Sequence, residues 1–151
     1  MTTNQFSASA LIEAPAPMLY DIIADYHHGH PAILPKPPFV ALEVEQGGTG
    51  EGTVVRVDMK VMGRLQTFRA TITEPEPGRV LVETNDTGYV TTFTVEPRAE
   101  GQHGYVTIST DLNGHGGIFG ALERWFVKRL LRPVYVRELE QLAAVATKPA
   151  G

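Results

Sequence analysis

The sequence contains no cysteine, so disulfides, thiolate metal sites and a cysteine nucleophile are excluded. It has no lysine or arginine before Lys36 and no uncharged apolar run near the roughly 20 residues that a spanning helix requires. We therefore expect no signal peptide, no transmembrane segment and a cytoplasmic location. The net charge of -4 offers no general attraction for a polyanion, so we expect no nucleic-acid partner.

The length predicts one domain that spans residues 1–151. A chain of 151 residues with 42% hydrophobic residues is long enough to bury one core and too short for two ordinary domains. No internal repeat or low-complexity segment divides it.

Alternation of apolar and polar residues predicts about seven strands. Period two is typical of a half-buried strand, and glycine- and proline-containing turns separate the alternating segments. Short strands joined by such turns are typical of an antiparallel meander. The segments cover residues 5–13, 40–45, 55–61, 66–72, 80–84, 89–95 and 106–112.

Three segments have helical spacing instead. Residues 18–26 and 30–34 predict two short helices directly after the first strand. Apolar residues at helical spacing from 118 to about 146 predict a long C-terminal helix, the only element long enough to cover the sheet. A curved sheet around one helix usually leaves a gap, and such a gap forms a ligand pocket.

Five short motifs, in this order and spacing, resemble the START-like helix-grip superfamily, also called SRPBCC, and its polyketide cyclase-dehydratase-like members. The motifs are Ile12-Glu13-Ala14-Pro15, Asp25, Gly50-Glu51-Gly52, residues 74–80 (EPEPGRV) and residues 93–97 (FTVEP). The resemblance covers nearly the whole chain. It implies an α+β helix-grip fold, with a strongly curved antiparallel sheet, two short helices after the first strand and a long C-terminal helix.

The same resemblance leaves the function open, because the superfamily includes lipid carriers, hormone receptors, polyketide aromatase/cyclases and oxygenase domains. The sequence lacks the cysteine ligands of a Rieske-type set, which removes the oxygenase interpretation. The remaining expectation is a protein that takes a small hydrophobic molecule, a lipid or an aromatic or polyketide-like compound, into an internal cavity.

Strand parity predicts the cavity wall. If the apolar parity faces inward, Val40, Val80 and Val82 lie inside, and no charged strand residue does. Such an interior suits a mostly neutral ligand, because an unpaired buried charge is costly. The same side chains could instead fill a solid core. The candidate ligand-binding residues are Val57, Met59, Gln66, Phe68, Tyr89, Thr91, Phe93, Thr110, Leu122, Trp125 and Phe126.

A histidine cluster follows the first predicted helix and offers the best catalytic candidates, His27, His28 and His30. One of them could act as a general acid or base at the cavity mouth, since histidine titrates near neutral pH. The alternative is a solvated loop. The cluster lacks the spacing of a metal site, so we expect no metal, and no cofactor is indicated.

Three functions stay open from the sequence. The first is binding of a hydrophobic ligand without chemistry, and the second is a polyketide cyclase/aromatase-like enzyme that uses the same cavity. The third is an interaction domain that acts through the basic residues of the long helix or as a homodimer.

Overall fold

The computed structural model describes residues 5–61, 63–112 and 117–147; in the last segment the side chains of residues 117–124 and 126 are not described. The elements follow one another as β1 (Gln5–Ile12), α1 (Ala16–Ala24), α2 (Gly29–Ile33), β2 (Phe39–Gln46), β3 (Val54–Val61), β4 (Arg64–Glu76), β5 (Val80–Asn85), β6 (Val90–Arg98), a 3-10 turn (Ala99–Gly101), β7 (His103–Asp111) and α3 (Gly117–Ala146).

The strands form one antiparallel sheet in the order β1-β7-β6-β5-β4-β3-β2. β1 and β2 are the two edges, so the sheet is curved but not closed. β1 pairs with β7 and so lies at the opposite edge of the sheet from β2. All other neighbouring strands are consecutive in the chain. This arrangement confirms the predicted helix-grip fold.

The inner face of the sheet follows the predicted parity on five strands. Phe6, Ala8 and Ile12 are buried on β1, and the same alternation holds on β3, β4, β6 and β7. β-branched residues fit this half-buried, pleated surface well, which explains why alternating valine, isoleucine and threonine form it.

The parity prediction is wrong on β5. Leu81 is fully buried, and Glu83 faces inward with it, whereas Val80 and Val82 lie on the other face. Glu83 pairs with inward-facing Ile72 on one side and Thr91 on the other, and directly opposed residues share a face.

Val40 was also predicted inward, but half of its surface (50%) is exposed. The ladder between β2 and β3 shifts between Phe39 and Ala41. A bulge of this kind reverses the alternation, so that Phe39 and Leu42, three residues apart, both face the interior.

The helices cover one side of the sheet. α1 packs against β6 and β7, and its residues Leu19 and Ile23 are fully buried. Gly104 permits this close approach, because a Cβ there would lie 2.6 Å from Leu19 Cδ1. α3 packs against β1 and α2. Within the described residues, no helix is long and apolar enough to cross a membrane.

Candidate functional site

A cavity of about 830 Å³ lies between the inner face of the sheet and the middle of α3, from Val127 to Glu138. Its walls are mostly apolar side chains from β2 to β4 and from α3. Eight of the predicted ligand-binding residues lie on the wall: Val57, Met59, Gln66, Phe68, Tyr89, Thr91, Phe93 and Thr110. Their contact with a ligand stays a prediction.

Among its described side chains, α3 contributes residues to the wall that were not among the candidates. The described part of the helix wall includes Val127, Leu130, Leu131, Val134, Tyr135, Arg137 and Glu138. Trp125 does not belong to this wall; it is 54% exposed, and the guanidinium carbon of Arg129 lies 5.6 Å from its ring centroid. Trp125 precedes Val127 by two residues, about 200° around an α-helix, and so points away from the cavity. The side chains of Leu122 and Phe126 lie outside the described residues.

The structure separates the three histidines. His27 and His28 are exposed on the loop between α1 and α2, whereas His30 is buried on α2 and lines the cavity. Asp25 fixes this loop by accepting hydrogen bonds from the backbone N–H groups of His27, His28 and Gly29, at 3.1, 3.2 and 3.3 Å. Partial burial of Asp25 opposes its ionisation, but the three backbone donors outweigh it and lower its pKa.

The His30 ring contacts two aromatic rings and one backbone carbonyl. Tyr26 stacks on it with ring centroids 4.3 Å apart, and Phe93 meets it edge-on at 5.4 Å. Its Nδ1 lies 2.8 Å from the Ile23 carbonyl oxygen. Because a carbonyl only accepts, Nδ1 carries a proton in this arrangement, which leaves Nε2 directed toward the cavity wall.

Two carboxyl groups face Nε2 of His30. Glu83 Oε2 lies 3.5 Å away and Glu138 Oε1 lies 4.0 Å away. A bare nitrogen lone pair facing two carboxylates would be repelled by both. The repulsion within the triangle formed by His30, Glu83 and Glu138 is reduced when a carboxyl group carries a proton.

Burial favours the protonated forms of Glu138 and Tyr26. Burial, and then the charge of Glu83, raise the pKa of Glu138 well above its usual value. Tyr26 donates its hydroxyl proton to Glu83 Oε2 at 2.5 Å. Burial, followed by the Glu83 charge, also raises the pKa of Tyr26, which keeps the phenol protonated.

The prediction of an interior without strand charges is therefore wrong at Glu83. Glu138 adds a second carboxyl from the helix and is almost completely buried (2% exposed). A signal for Glu138 was present in the sequence, since it follows Val134 and Leu131 at intervals of four and seven residues and so shares their face.

A second polar group of the wall is a chain of hydroxyls. The hydroxyl of Tyr135 lies 2.6 Å from Oγ1 of Thr110, which lies 2.8 Å from Oγ1 of Thr91. Burial raises the pKa of Tyr135. These hydroxyls satisfy one another, so the wall around them is polar without being charged.

The described residues hold no cluster of three or more His, Asp or Glu suited to a metal ion. The site thus consists of an apolar chamber with one acidic, histidine-containing end, which we call the polar end (Tyr26, His30, Glu83 and Glu138). Such an arrangement can bury an apolar body and exchange hydrogen bonds or a proton with one polar group on it.

Solved structures share this architecture. The chain matches the solution structure of KanY protein with 26% identity and a TM-score of 0.81, covering 97% of this chain and 99% of that one. The Zhui aromatase/cyclase from Streptomyces sp. R1128 matches with 16% identity and a TM-score of 0.73, covering 94% and 92%. TTHA0849 from Thermus thermophilus matches with 22% identity and a TM-score of 0.74, covering 96% and 99%.

No curated protein sequence matches the chain. The family described as polyketide cyclase / dehydrase and lipid transport matches residues 3–147, nearly the full length. The chain belongs to the polyketide cyclase / dehydrase and lipid transport family.

Proposed function

We propose that the protein binds a small hydrophobic molecule, a lipid or an aromatic or polyketide-like compound, in the cavity. The observation that carries this proposal is the cavity itself, about 830 Å³ with mostly apolar walls. Pockets for single small molecules have volumes of roughly 300–1,000 Å³. The cavity therefore accommodates one such ligand.

The wall determines how the ligand would be held. Val57, Met59 and Phe68 offer apolar surface from the sheet, and Leu131 and Val134 offer it from α3. Removing the ligand's apolar surface from water contributes about 25 cal/mol per Å² before the costs of association. The polar end would orient the ligand by accepting a hydrogen bond from a hydroxyl or an enol.

A neutral fluorescent probe, N-phenyl-1-naphthylamine, tests this proposal. We expect its emission to rise in the presence of the protein, and its binding to raise the melting temperature. Val57→Phe places a larger side chain in the cavity and should weaken binding at least tenfold. Val40→Phe is the matched control, since Val40 lies on an exposed part of β2 outside the cavity wall. Equal binding by both variants would contradict binding in the cavity.

A second candidate function is acid–base catalysis of the cyclase kind, favoured by the contact of His30 with Glu83 and Glu138. One member of the triangle can accept a proton from an activated C–H group while another donates one to a carbonyl oxygen. Positioned general acid–base groups contribute about 10²–10⁴-fold to a rate. An aromatic-forming ring closure of a poly-β-ketone needs both transfers.

The enzyme proposal is tested by turnover of an unreduced poly-β-ketone thioester. We expect His30→Asn to lower kcat by about 100-fold. His28→Asn is the matched control, because His28 is exposed and outside the cavity. Binding of N-phenyl-1-naphthylamine by His30→Asn shows that the chamber is intact. Unchanged turnover in an intact His30→Asn chamber would leave binding as the function.

A further inference from the structure

The carboxyl group of Glu138 has no hydrogen bond, although the residue is only 2% exposed. Within the described part of the chain, it faces Nε2 of His30, and the 4.0 Å between this nitrogen and Oε1 is longer than a hydrogen bond. No completely buried side-chain oxygen or nitrogen of the described residues lacks a hydrogen-bond partner, so both oxygens of Glu138 border the cavity. Their hydrogen bonds are therefore left to an occupant of the cavity.

Glu83 adds a third oxygen of this kind. Its Oε2 accepts the hydroxyl proton of Tyr26 and lies 3.5 Å from His30 Nε2, whereas its Oε1 accepts no hydrogen bond from the described residues. The two carboxyl groups face the same nitrogen of His30, so they border the same region of the cavity. Among the described residues, neither carboxyl has a lysine or an arginine within 4.0 Å.

We propose, on the basis of the proposed binding function, that the ligand is a hydrophobic amine whose ammonium group binds between Glu83 and Glu138. Its apolar body occupies the chamber between the sheet and α3. An ammonium group donates up to three hydrogen bonds and accepts none, which matches the three carboxyl oxygens without a donor. A hydroxyl group of a neutral ligand has one proton to donate and forms weaker hydrogen bonds, because it lacks the charge.

The polar end also selects against an acidic ligand. A carboxylate placed beside Glu83 and Glu138 would meet groups that bear the same charge when ionised. Arg137 borders the cavity, but it is exposed and precedes Glu138 by one residue, about 100° around the helix axis. Burial raises the pKa of Glu138, and an ammonium group beside it favours the ionised form. Binding of the amine therefore replaces the proton of Glu138 by an ion pair.

Three naphthalene probes test this inference. 2-(1-Naphthyl)ethylamine, 2-(1-naphthyl)ethanol and 1-naphthaleneacetic acid share one ring system and differ in the polar group. At pH 7 the first carries an ammonium group and the last a carboxylate. Displacement of N-phenyl-1-naphthylamine measures the Kd of each. We expect the amine to bind about tenfold or more tightly than the alcohol, since its charge is paired in a buried site, and the acid to bind most weakly.

Glu138→Gln should reduce the preference for the amine over the alcohol to about threefold or less, because glutamine has a similar shape and no charge. Binding of N-phenyl-1-naphthylamine by this variant shows that the chamber is intact. Glu140→Gln is the matched control and should retain the full preference, since Glu140 is exposed on the same helix and outside the cavity wall.

The probes separate this inference from the binding function. Equal affinity for the amine and the alcohol, tighter binding of the acid, or a full preference retained by Glu138→Gln would overturn the inference. Each of these results, with N-phenyl-1-naphthylamine bound, leaves the binding function standing. Failure of all four compounds to bind the unaltered protein would overturn both proposals.

Discussion

The two halves of the interior differ in packing although their strands have the same alternating pattern. Beneath α1, the side chains of Leu19, Val95 and Val106 have no exposed surface and form a solid core. Toward the β2 edge, Leu42 and Phe68 have the same inward orientation, yet they are only partly buried and face the cavity.

The difference shows that inward orientation alone does not produce packing. α1 lies directly on β6 and β7, and Gly104 removes the side chain that would hold it away. The middle of α3, from Val127 to Glu138, faces β3 and β4 across the cavity. A helix in direct contact gives a core, and a helix held at a distance gives a chamber, from the same strand pattern.

The largest expected effect comes from truncating leucine in the packed half. Leu19→Ala should lower the free energy of unfolding by about 2–5 kcal/mol, because it leaves a void in a filled core. Leu42→Ala, the matched change in the hollow half, should cost about 1 kcal/mol, since Leu42 already borders space. Urea unfolding of both variants measures the difference. Similar losses would mean that the chamber is filled.

Glu138→Gln tests the buried carboxyl group of the hollow half through the pH dependence of the free energy of unfolding. An unfolded glutamate titrates near pH 4.3, and burial raises the folded pKa of Glu138. Between those two values the folded state binds more protons than the unfolded state, so stability decreases as pH rises. The variant removes this loss and should be more stable than the unaltered protein at pH 8 by about 1–3 kcal/mol, with a smaller difference at pH 5.

Chemical unfolding at the two pH values, with Glu83 and His30 unchanged, measures this effect. Glu140→Gln is the control, because Glu140 is exposed on the same helix. Parallel pH profiles for the unaltered protein and Glu138→Gln would contradict the buried, protonated state of Glu138.

The hydroxyl chain should give an intermediate effect. Thr110→Val leaves the Tyr135 hydroxyl without its partner at 2.6 Å and should cost about 1 kcal/mol. Thr107→Val, on the outward face of the same strand, removes an exposed contact with Ser9 and should cost less. Thermal unfolding compares them, and an equal loss for both would place Thr110 in contact with water.

The smallest effect is expected on the outer face. Arg69 pairs with Glu45 at 2.7 Å, and this hydrogen bond lowers the pKa of Glu45. The pair is exposed to solvent, so Arg69→Gln should change the melting temperature little, and added salt should remove the difference. A large, salt-independent loss would show that the outer face takes part in holding the sheet.

Much of the fold could be predicted from the sequence, because most strands have a single apolar parity. On β3, Val55, Val57 and Met59 alternate with charged residues, which leaves one orientation possible. β5 begins with Val80, Leu81 and Val82, where both parities are apolar, so the orientation depends on the neighbours that it pairs with. The position of Glu83 could not be read from β5 alone.

The site was less predictable, because it depends on distances between elements. The sheet wall followed from parity, as Val57, Phe68 and Thr110 illustrate. His30, in contrast, differs from His28 only by its place on α2, which the hydrogen bonds of Asp25 determine. Trp125 was predicted to line the cavity because it is an aromatic residue on an amphipathic helix. The prediction did not take into account its angular position around the helix axis, which leaves the side chain exposed.

The separation between a solid half and a hollow half has an evolutionary consequence. Folding depends chiefly on residues that no ligand reaches, such as Leu19 and Val106. Substitutions around the chamber can therefore alter selectivity while consuming little of the stability margin. New ligand preferences can arise here by single steps, without a compensating change elsewhere in the chain.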